Sequence, residues 1–165
     1  ENAFYAPPIS AIAPQIPYIK MLPGPFWEPA CGNGAIVKKL RHNGMGCLGS
    51  DILTPTDICN WFIGKVDFLH PCGVAIEDFE TIITNPPFSL AFDFCRRAVD
   101  QCDNVVMLLR LNFLGSVKRK EWFKAHPPSA IFVLSPRPSF TGGATDSCEY
   151  AWVMWTNVWR GIYFL

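Results

Sequence analysis

The chain has 165 residues, enough for one domain with a substantial core. Half of the residues are hydrophobic and only 17% are charged, which excludes a disordered chain. Fourteen basic residues balance fourteen acidic ones, which excludes a broad nonspecific nucleic-acid footprint and confines any such surface to a local patch.

Residues 1–25 carry Pro7, Pro8, Pro14, Pro17, Pro23 and Pro25. This density forbids a long helix and predicts an arm laid across the domain. Phe26–Glu28 reads as the end of a short strand. Ala35–His42 follows as a helix with Ile36, Val37 and Leu40 on one face, broken by Gly44 and Gly46. Cys47–Asp51 is a second short strand, and the hard-to-read stretch 52–80 offers Val66–Leu69 as a strand edge. Thr81–Thr84 is a strand, and Leu90–Cys102 a helix with Phe94, Ala98 and Val99 inward. Val105–Leu109 is a continuous apolar run, expected of a strand buried on both faces. Val117–Ala125 reads as a helix, Ile131–Leu134 and Tyr150–Trp155 as strands, and 135–148 as a Pro/Gly/Ser/Thr-rich loop. Strands alternating with helices predict an α/β domain: a doubly wound, mostly parallel sheet of about seven strands.

The loop Glu28-Pro29-Ala30-Cys31-Gly32-Asn33-Gly34 ends the first strand and opens a helix. Glycines at such a turn let the backbone approach a ligand at the carboxyl end of the strands. A dinucleotide is disfavoured. Val37 stands where a third glycine would, and Glu28 would repel a pyrophosphate. The same acid suits the ammonium of a bound amino acid. Asp51, ending the next strand, can accept both hydroxyls of a ribose. S-adenosylmethionine has that ammonium, a ribose and no phosphate. A purely structural glycine turn is the alternative at this point.

Asn85-Pro86-Pro87-Phe88 follows the strand Thr81–Thr84 directly. The prolines stop the strand and hold a rigid extended turn at the cofactor edge. A conjugated amino group is a poor nucleophile because its lone pair is delocalised. The Asn85 side-chain oxygen and the Pro86 carbonyl can each accept one of its N–H groups and free that lone pair, from positions the prolines preorganise. Phe88 offers a flat face to an extruded base.

Glu28–Gly34, Asp51 and Asn85–Phe88, in this order and spacing, resemble the adenine-N6 DNA methyltransferases of phage and restriction-modification type. Phe4-Tyr5-Ala6-Pro7-Pro8 is similar to that family's amino-terminal motif, which packs on the methionine part of the cofactor. Asp67-Phe68 resembles the motif whose acid meets the cofactor adenine, and Ile52 matches a position that packs on it. Arg110–Leu114 and Pro136–Trp155 look like later family segments. The resemblance implies a Rossmann-like class I methyltransferase fold. It also implies S-adenosyl-L-methionine as cofactor, with S-adenosyl-L-homocysteine as product, and transfer to the N6 amino group of adenine in DNA.

Residues 1–165 are read as one catalytic domain without a separate target-recognition domain, so recognition falls to loops, a partner subunit or self-association, or the chain is unspecific. Lys118, Arg119 and Lys120 are candidates for phosphate contact, a solvated helix face being the alternative. Arg137, Ser139 and Phe140, on the long loop, are candidates for contact with nucleic acid.

Seven cysteines, odd in number and without a C-x-x-C pair, read as reduced thiols of a cytoplasmic protein, in a bacterium or a phage-infected cell. His42, His70 and His126 lack ligand spacing, so no metal is expected. No membrane association is expected either, because no apolar run reaches the roughly 18 residues of a span and no signal peptide is visible. The chain begins at Glu1 without Met and is read as trimmed. Three rival readings remain. Pro71-Cys72 could mark a cytosine carbon-5 enzyme. The same chemistry could act on adenine in RNA or on a protein glutamine amide. The chain could also be a non-catalytic, nucleic-acid-binding relative.

Overall fold

The computed structural model describes residues 5–57, 59–70, 73–140 and 146–165. Eight strands form one sheet: β1 (Phe26–Glu28), β2 (Cys47–Asp51), β3 (Phe62–Lys65), β4 (Thr81–Thr84), β5 (Val105–Arg110), β6 (Ala130–Val133), β7 (Tyr150–Trp155) and β8 (Gly161–Phe164). Their order is β3-β2-β1-β4-β5-β7-β6-β8. β1 to β5 run parallel, and β7 is antiparallel to both β5 and β6. The chain winds outward from β1 to β3, then returns to place β4 on the other side of β1. That reversal opens a crevice outside the carboxyl ends of the strands.

Alternation along the strands builds two cores. Ile83, Val106, Leu108, Tyr150, Trp152 and Met154 face one side of the sheet, where helix α3 (Ala35–His42) supplies Ile36, Val37 and Leu40. Ile82, Val105, Met107, Leu109, Ala151 and Val153 face the other, under helix α4 (Ala91–Gln101) and helix α5 (Lys120–Ala125). All four residues of β4 and the first five of β5 are buried, as expected of a sheet covered on both faces.

Four sequence expectations change. The amino-terminal stretch is no mere arm. Its short helices α1 (Ile9–Ile12) and α2 (Ile16–Ile19) bury Ile12, Ile16 and Ile19, and Trp152 Nε1 donates to the Ala11 carbonyl at 2.8 Å. The third strand is Phe62–Lys65, not Val66–Leu69. It is an edge strand with alternating half-buried and exposed residues and a glycine, Gly64, too weak a pattern to read from sequence. β8 was not expected. It pairs in parallel with β6 along the sheet edge and leaves Ile162 and Phe164 exposed. Finally, the helix expected over Val117–Ala125 begins as a 3-10 turn, Val117–Arg119, before α5.

Two glycines are required locally. Gly34 enters α3 in the left-handed region at φ 76°, and a Cβ there would lie 2.5 Å from the Trp61 ring. Gly49, in β2, lets the loop after β1 lie on the strand, since its Cβ would meet that of Cys31 at 2.8 Å.

Candidate cofactor and target-base site

The loops that leave β1, β2, β3 and β4 converge on one cavity of about 530 Å³. Pro29, Ala30 and Gly32 come from the first loop, Asp51 and Ile52 from the second, Asp67 and Phe68 from the third, and Asn85–Phe88 from the fourth. Tyr5 closes it from the amino-terminal segment. The lining is mostly apolar with a few carboxylates and an amide, the usual make-up of a small-molecule site.

Asp51 ties the first two loops together. Its Oδ2 accepts from the Gly32 backbone N–H at 2.8 Å, and its Oδ1 from the Leu53 N–H at 3.1 Å. Across the cavity Asp67 accepts from the Leu69 N–H at 3.0 Å and lies 2.7 Å from His70 Nδ1. Arg97 braces that turn, with its guanidinium 5.7 Å over Phe68 and its Nη2 donating to the His70 carbonyl at 3.3 Å.

Glu28 takes a different place from the one expected. It is 2% exposed, lies beneath the loop and does not line the cavity. Its Oε2 accepts from the Val37 N–H at 3.2 Å, in the first turn of α3. Burial pushes its carboxyl well above the usual range, and the neighbouring charge of Asp51 pushes the same way, against the Val37 bond. In this arrangement the acid anchors the loop to the helix rather than facing a ligand. Cys31 and Gly34 also shape the loop from behind the cavity. Burial, with Glu28 and Asp51 nearby, raises the Cys31 thiol far above its ordinary value, so it stays a thiol. Ala6 and Pro7 do not line the cavity either. Phe4 lies outside the described residues.

At the fourth loop, Asn85 Nδ2 donates to the Tyr5 carbonyl at 2.8 Å. The same amide's Oδ1 is buried and has no partner among the described residues. A buried acceptor left alone costs about 1–3 kcal/mol, so it marks a place where a donor arrives from outside. The Tyr5 bond selects which end of the amide faces the site. Pro86 is buried and Pro87 half-buried behind it. Phe88 is half-buried, with the Tyr5 ring nearly parallel at 6.2 Å.

The candidate nucleic-acid residues divide. Lys118 and Lys120 are exposed, but Arg119 is committed: its Nε donates to the Phe113 carbonyl at 2.9 Å and its guanidinium lies 4.1 Å over the Phe113 ring. Phe140 does reach the site, 6.4 Å from Phe88 and 4.6 Å from Tyr150. Arg137 lies 3.8 Å from the Glu149 carboxylate, and Ser139 is half-buried beside Phe140. Residues 141–145 of the same loop, and Pro71-Cys72, lie outside the described residues. Sequence reasoning missed Leu53–Thr56, Leu69, His70, Leu90 and Phe94, which line the large cavity. It assigned no role to Arg110, Asp146 and Tyr150, which gather around Phe88. The turn chemistry after Asp51 (Thr54, Pro55, Thr56) marked a loop but nothing about its direction.

Among the described residues no cluster of His, Cys, Asp and Glu could hold a metal ion. No helix among them is long and apolar enough to cross a membrane.

No family model and no curated protein matches the chain. Solved structures do. A Listeria monocytogenes protein assigned as a class I S-adenosylmethionine-dependent methyltransferase superposes with a TM-score of 0.66 at 13% identity, over 95% of this chain and 64% of that one. The modification subunit of a type I restriction enzyme from Vibrio vulnificus gives 0.62 at 12%, over 99% of this chain and 47% of that one. A Pyrococcus horikoshii protein assigned as an RNA methyltransferase gives 0.61 at 10%, over 90% and 80%. The fold is that of the class I S-adenosylmethionine-dependent methyltransferases, with an eighth strand at its edge. The chain spans less than two thirds of the length of the first two of these relatives.

Proposed function

We propose that the chain transfers a methyl group from S-adenosylmethionine to the N6 amino group of an adenine in nucleic acid, with DNA as the substrate. The observation that carries this reading is the buried Oδ1 of Asn85, unpaired among the described residues and held in place through the Tyr5 carbonyl. It is an acceptor waiting for an N–H, on a residue that lines a cavity of cofactor size.

The residues present fit the cofactor. Asp51 would accept from its ribose, Asp67 and Ile52 would face its adenine, and Pro29–Gly32 would pass beneath its amino-acid end. When bound, S-adenosylmethionine supplies an electrophilic methyl group. The chain's own part is positioning. Asn85 Oδ1 accepts one N–H of the target amine and the Pro86 carbonyl the other, which draws the nitrogen toward a tetrahedral shape and frees its lone pair. Phe88 supports the base by stacking. No base of tuned pKa is needed, since the nitrogen sheds its proton to water once it carries the extra methyl. Such a reaction belongs in the cytoplasm of a bacterium or a phage-infected cell, with a partner subunit or a second copy adding target recognition.

The test incubates the chain and tritiated S-adenosylmethionine with DNA, RNA and protein pools, followed by nucleoside and amino-acid analysis. N6-methyladenine in DNA is the expected product. Label in 5-methylcytosine, in RNA alone or in glutamine would overturn the assignment.

A further inference from the structure

Phe88 is the proposed platform for the target base, and it lines the large cavity, yet in the chain by itself one face of its ring is already covered. The Arg110 guanidinium sits 4.0 Å over the Phe88 centroid, within the range of a stacked cation–π pair. Around the same ring stand Tyr5 and Tyr150, each at 6.2 Å, and Phe140 at 6.4 Å. A base can stack on the covered face only if Arg110 leaves it.

The aromatic neighbours are poorly placed to move instead. The Tyr5 carbonyl fixes that residue's backbone beside Asn85, Tyr150 is buried in β7, and Phe140 packs on Tyr150 at 4.6 Å. Arg110 is different. It ends β5 on a flexible stem, and its Nε donates to the Tyr150 hydroxyl at 3.4 Å, the long end of a hydrogen bond. That hydroxyl in turn donates to Asp146 Oδ2 at 2.9 Å, so its oxygen is free to accept from the arginine. Burial pushes the Tyr150 phenol up to about 12, which keeps it a donor to Asp146 at neutral pH. Among the described residues the terminal nitrogens of Arg110 make no hydrogen bond. Tyr5, Phe88, Arg110, Phe140, Asp146 and Tyr150 all border a second, polar cavity of about 170 Å³.

We propose that Arg110 is a displaceable cover of the base platform. Its guanidinium holds the face of Phe88 until a nucleotide enters, then yields that face to the base and pairs with the nucleotide's phosphate. The exchange gives up a cation–π contact and a long hydrogen bond for charge-assisted, bidentate contact with an anion. It also favours a nucleotide over a protein glutamine, which brings no anion to draw the guanidinium away. The proposal rests on the reading of Asn85–Phe88 as an amino-methylation site.

The test measures binding of 2′-deoxyadenosine and of a short single-stranded oligo(dA), with S-adenosylhomocysteine present, to the wild type, R110A and R110Q. R110A is expected to bind the nucleoside as tightly as the wild type or tighter, because the platform is uncovered. The same variant is expected to bind oligo(dA) about tenfold more weakly, with a salt slope smaller by about 0.7. R110Q keeps a flat amide over the ring without the charge. It should match the wild type on the nucleoside and R110A on the oligonucleotide, and it carries the test if R110A does not fold. Equal weakening toward both ligands, or an unchanged oligonucleotide affinity and slope, would overturn the cover while leaving the proposed reaction intact. A wild type that binds neither ligand and methylates no base would overturn both.

Discussion

Asn85 and Tyr5 are 80 positions apart and joined by one hydrogen bond, from the Asn85 amide nitrogen to the Tyr5 carbonyl at 2.8 Å. The bond fixes which end of the amide is presented, and it leaves Oδ1 buried without a donor among the described residues. Asn85→Ala removes that acceptor and should lower kcat by roughly 10²–10³, the usual weight of one preorganised group. Affinity for S-adenosylhomocysteine should stay near that of the wild type, because the lost interaction is made in the transition state. Single-turnover kinetics with calorimetry checks both. Normal turnover in the variant would remove Asn85 from the chemistry.

Asp51 has two duties that can be separated. It ties Gly32 and Leu53 into one wall of the cavity, and it is the proposed partner of the ribose. Asp51→Ala should weaken the cofactor by about 1.5–3 kcal/mol and also lower the melting temperature. Asp51→Asn keeps one neutral acceptor for the loop. It should recover most of the stability and little of the affinity. Recovery of affinity as well would mean that the residue acts through the loop alone.

Glu28 should make stability fall as pH rises. In the unfolded chain its carboxyl ionises around its ordinary value of 4.5, whereas burial in the fold keeps the proton on to higher pH. The folded state therefore holds the extra proton through that window, and stability declines until the folded carboxyl ionises too. Glu28→Gln removes this dependence and retains an acceptor for the Val37 N–H. Urea unfolding between about pH 4 and 8 should show the variant gaining on the wild type from about 4.5 upward. A difference that stays constant with pH would show that the carboxyl ionises at the same pH in the folded and unfolded chain.

Gly34 and Gly44 separate strain from collision. Both have positive φ, 76° and 80°. A Cβ at Gly34 would lie 2.5 Å from the Trp61 ring, while one at Gly44 meets nothing within 4 Å. Gly44→Ala should cost about 1–2 kcal/mol, the left-handed penalty alone. Gly34→Ala should cost more, and it should reduce cofactor affinity because the loop it closes lines the cavity. Equal losses in thermal unfolding would mean that Trp61 moves aside freely.

The basic cluster after β5 is two residues, not three. Lys118 and Lys120 are exposed, but Arg119 is spent on the Phe113 carbonyl and ring. Paired Lys118→Ala and Lys120→Ala should lower the salt slope of DNA binding by about one unit per lost phosphate contact, without affecting stability. Arg119→Ala should instead destabilise the turn that starts α5. A wild-type slope in the double variant would leave the lysines as a solvated face.

The sequence by itself determined the elements whose signal is local. The buried runs of β4 and β5, the amphipathic face of α3, and the prolines that stop β4 each depend on neighbours a few residues away. The same holds for the order of the acidic loop, Asp51 and Asn85–Phe88, which placed three walls of one cavity on the correct sheet edge. The edge strands escaped it, because β3 and β8 are half-exposed and lack a burial pattern to read.

Only the tertiary structure decided what the charged groups face. Glu28 carries the residue type expected of a ligand contact, but it is buried and its carboxylate accepts from the Val37 N–H of α3 instead. Arg119 reads as part of a basic run, and the carbonyl of Phe113 claims it. Arg110 opens a segment that resembles a later family segment, but nothing in the sequence aims it at Phe88. Its position over Phe88 follows from β5 and β7 pairing antiparallel, with Arg110 opposite Tyr150, contacts that join parts of the chain 40 residues apart. A side chain's composition is written in the sequence, but the direction of its charge depends on which donors, acceptors and rings the closed fold leaves beside it.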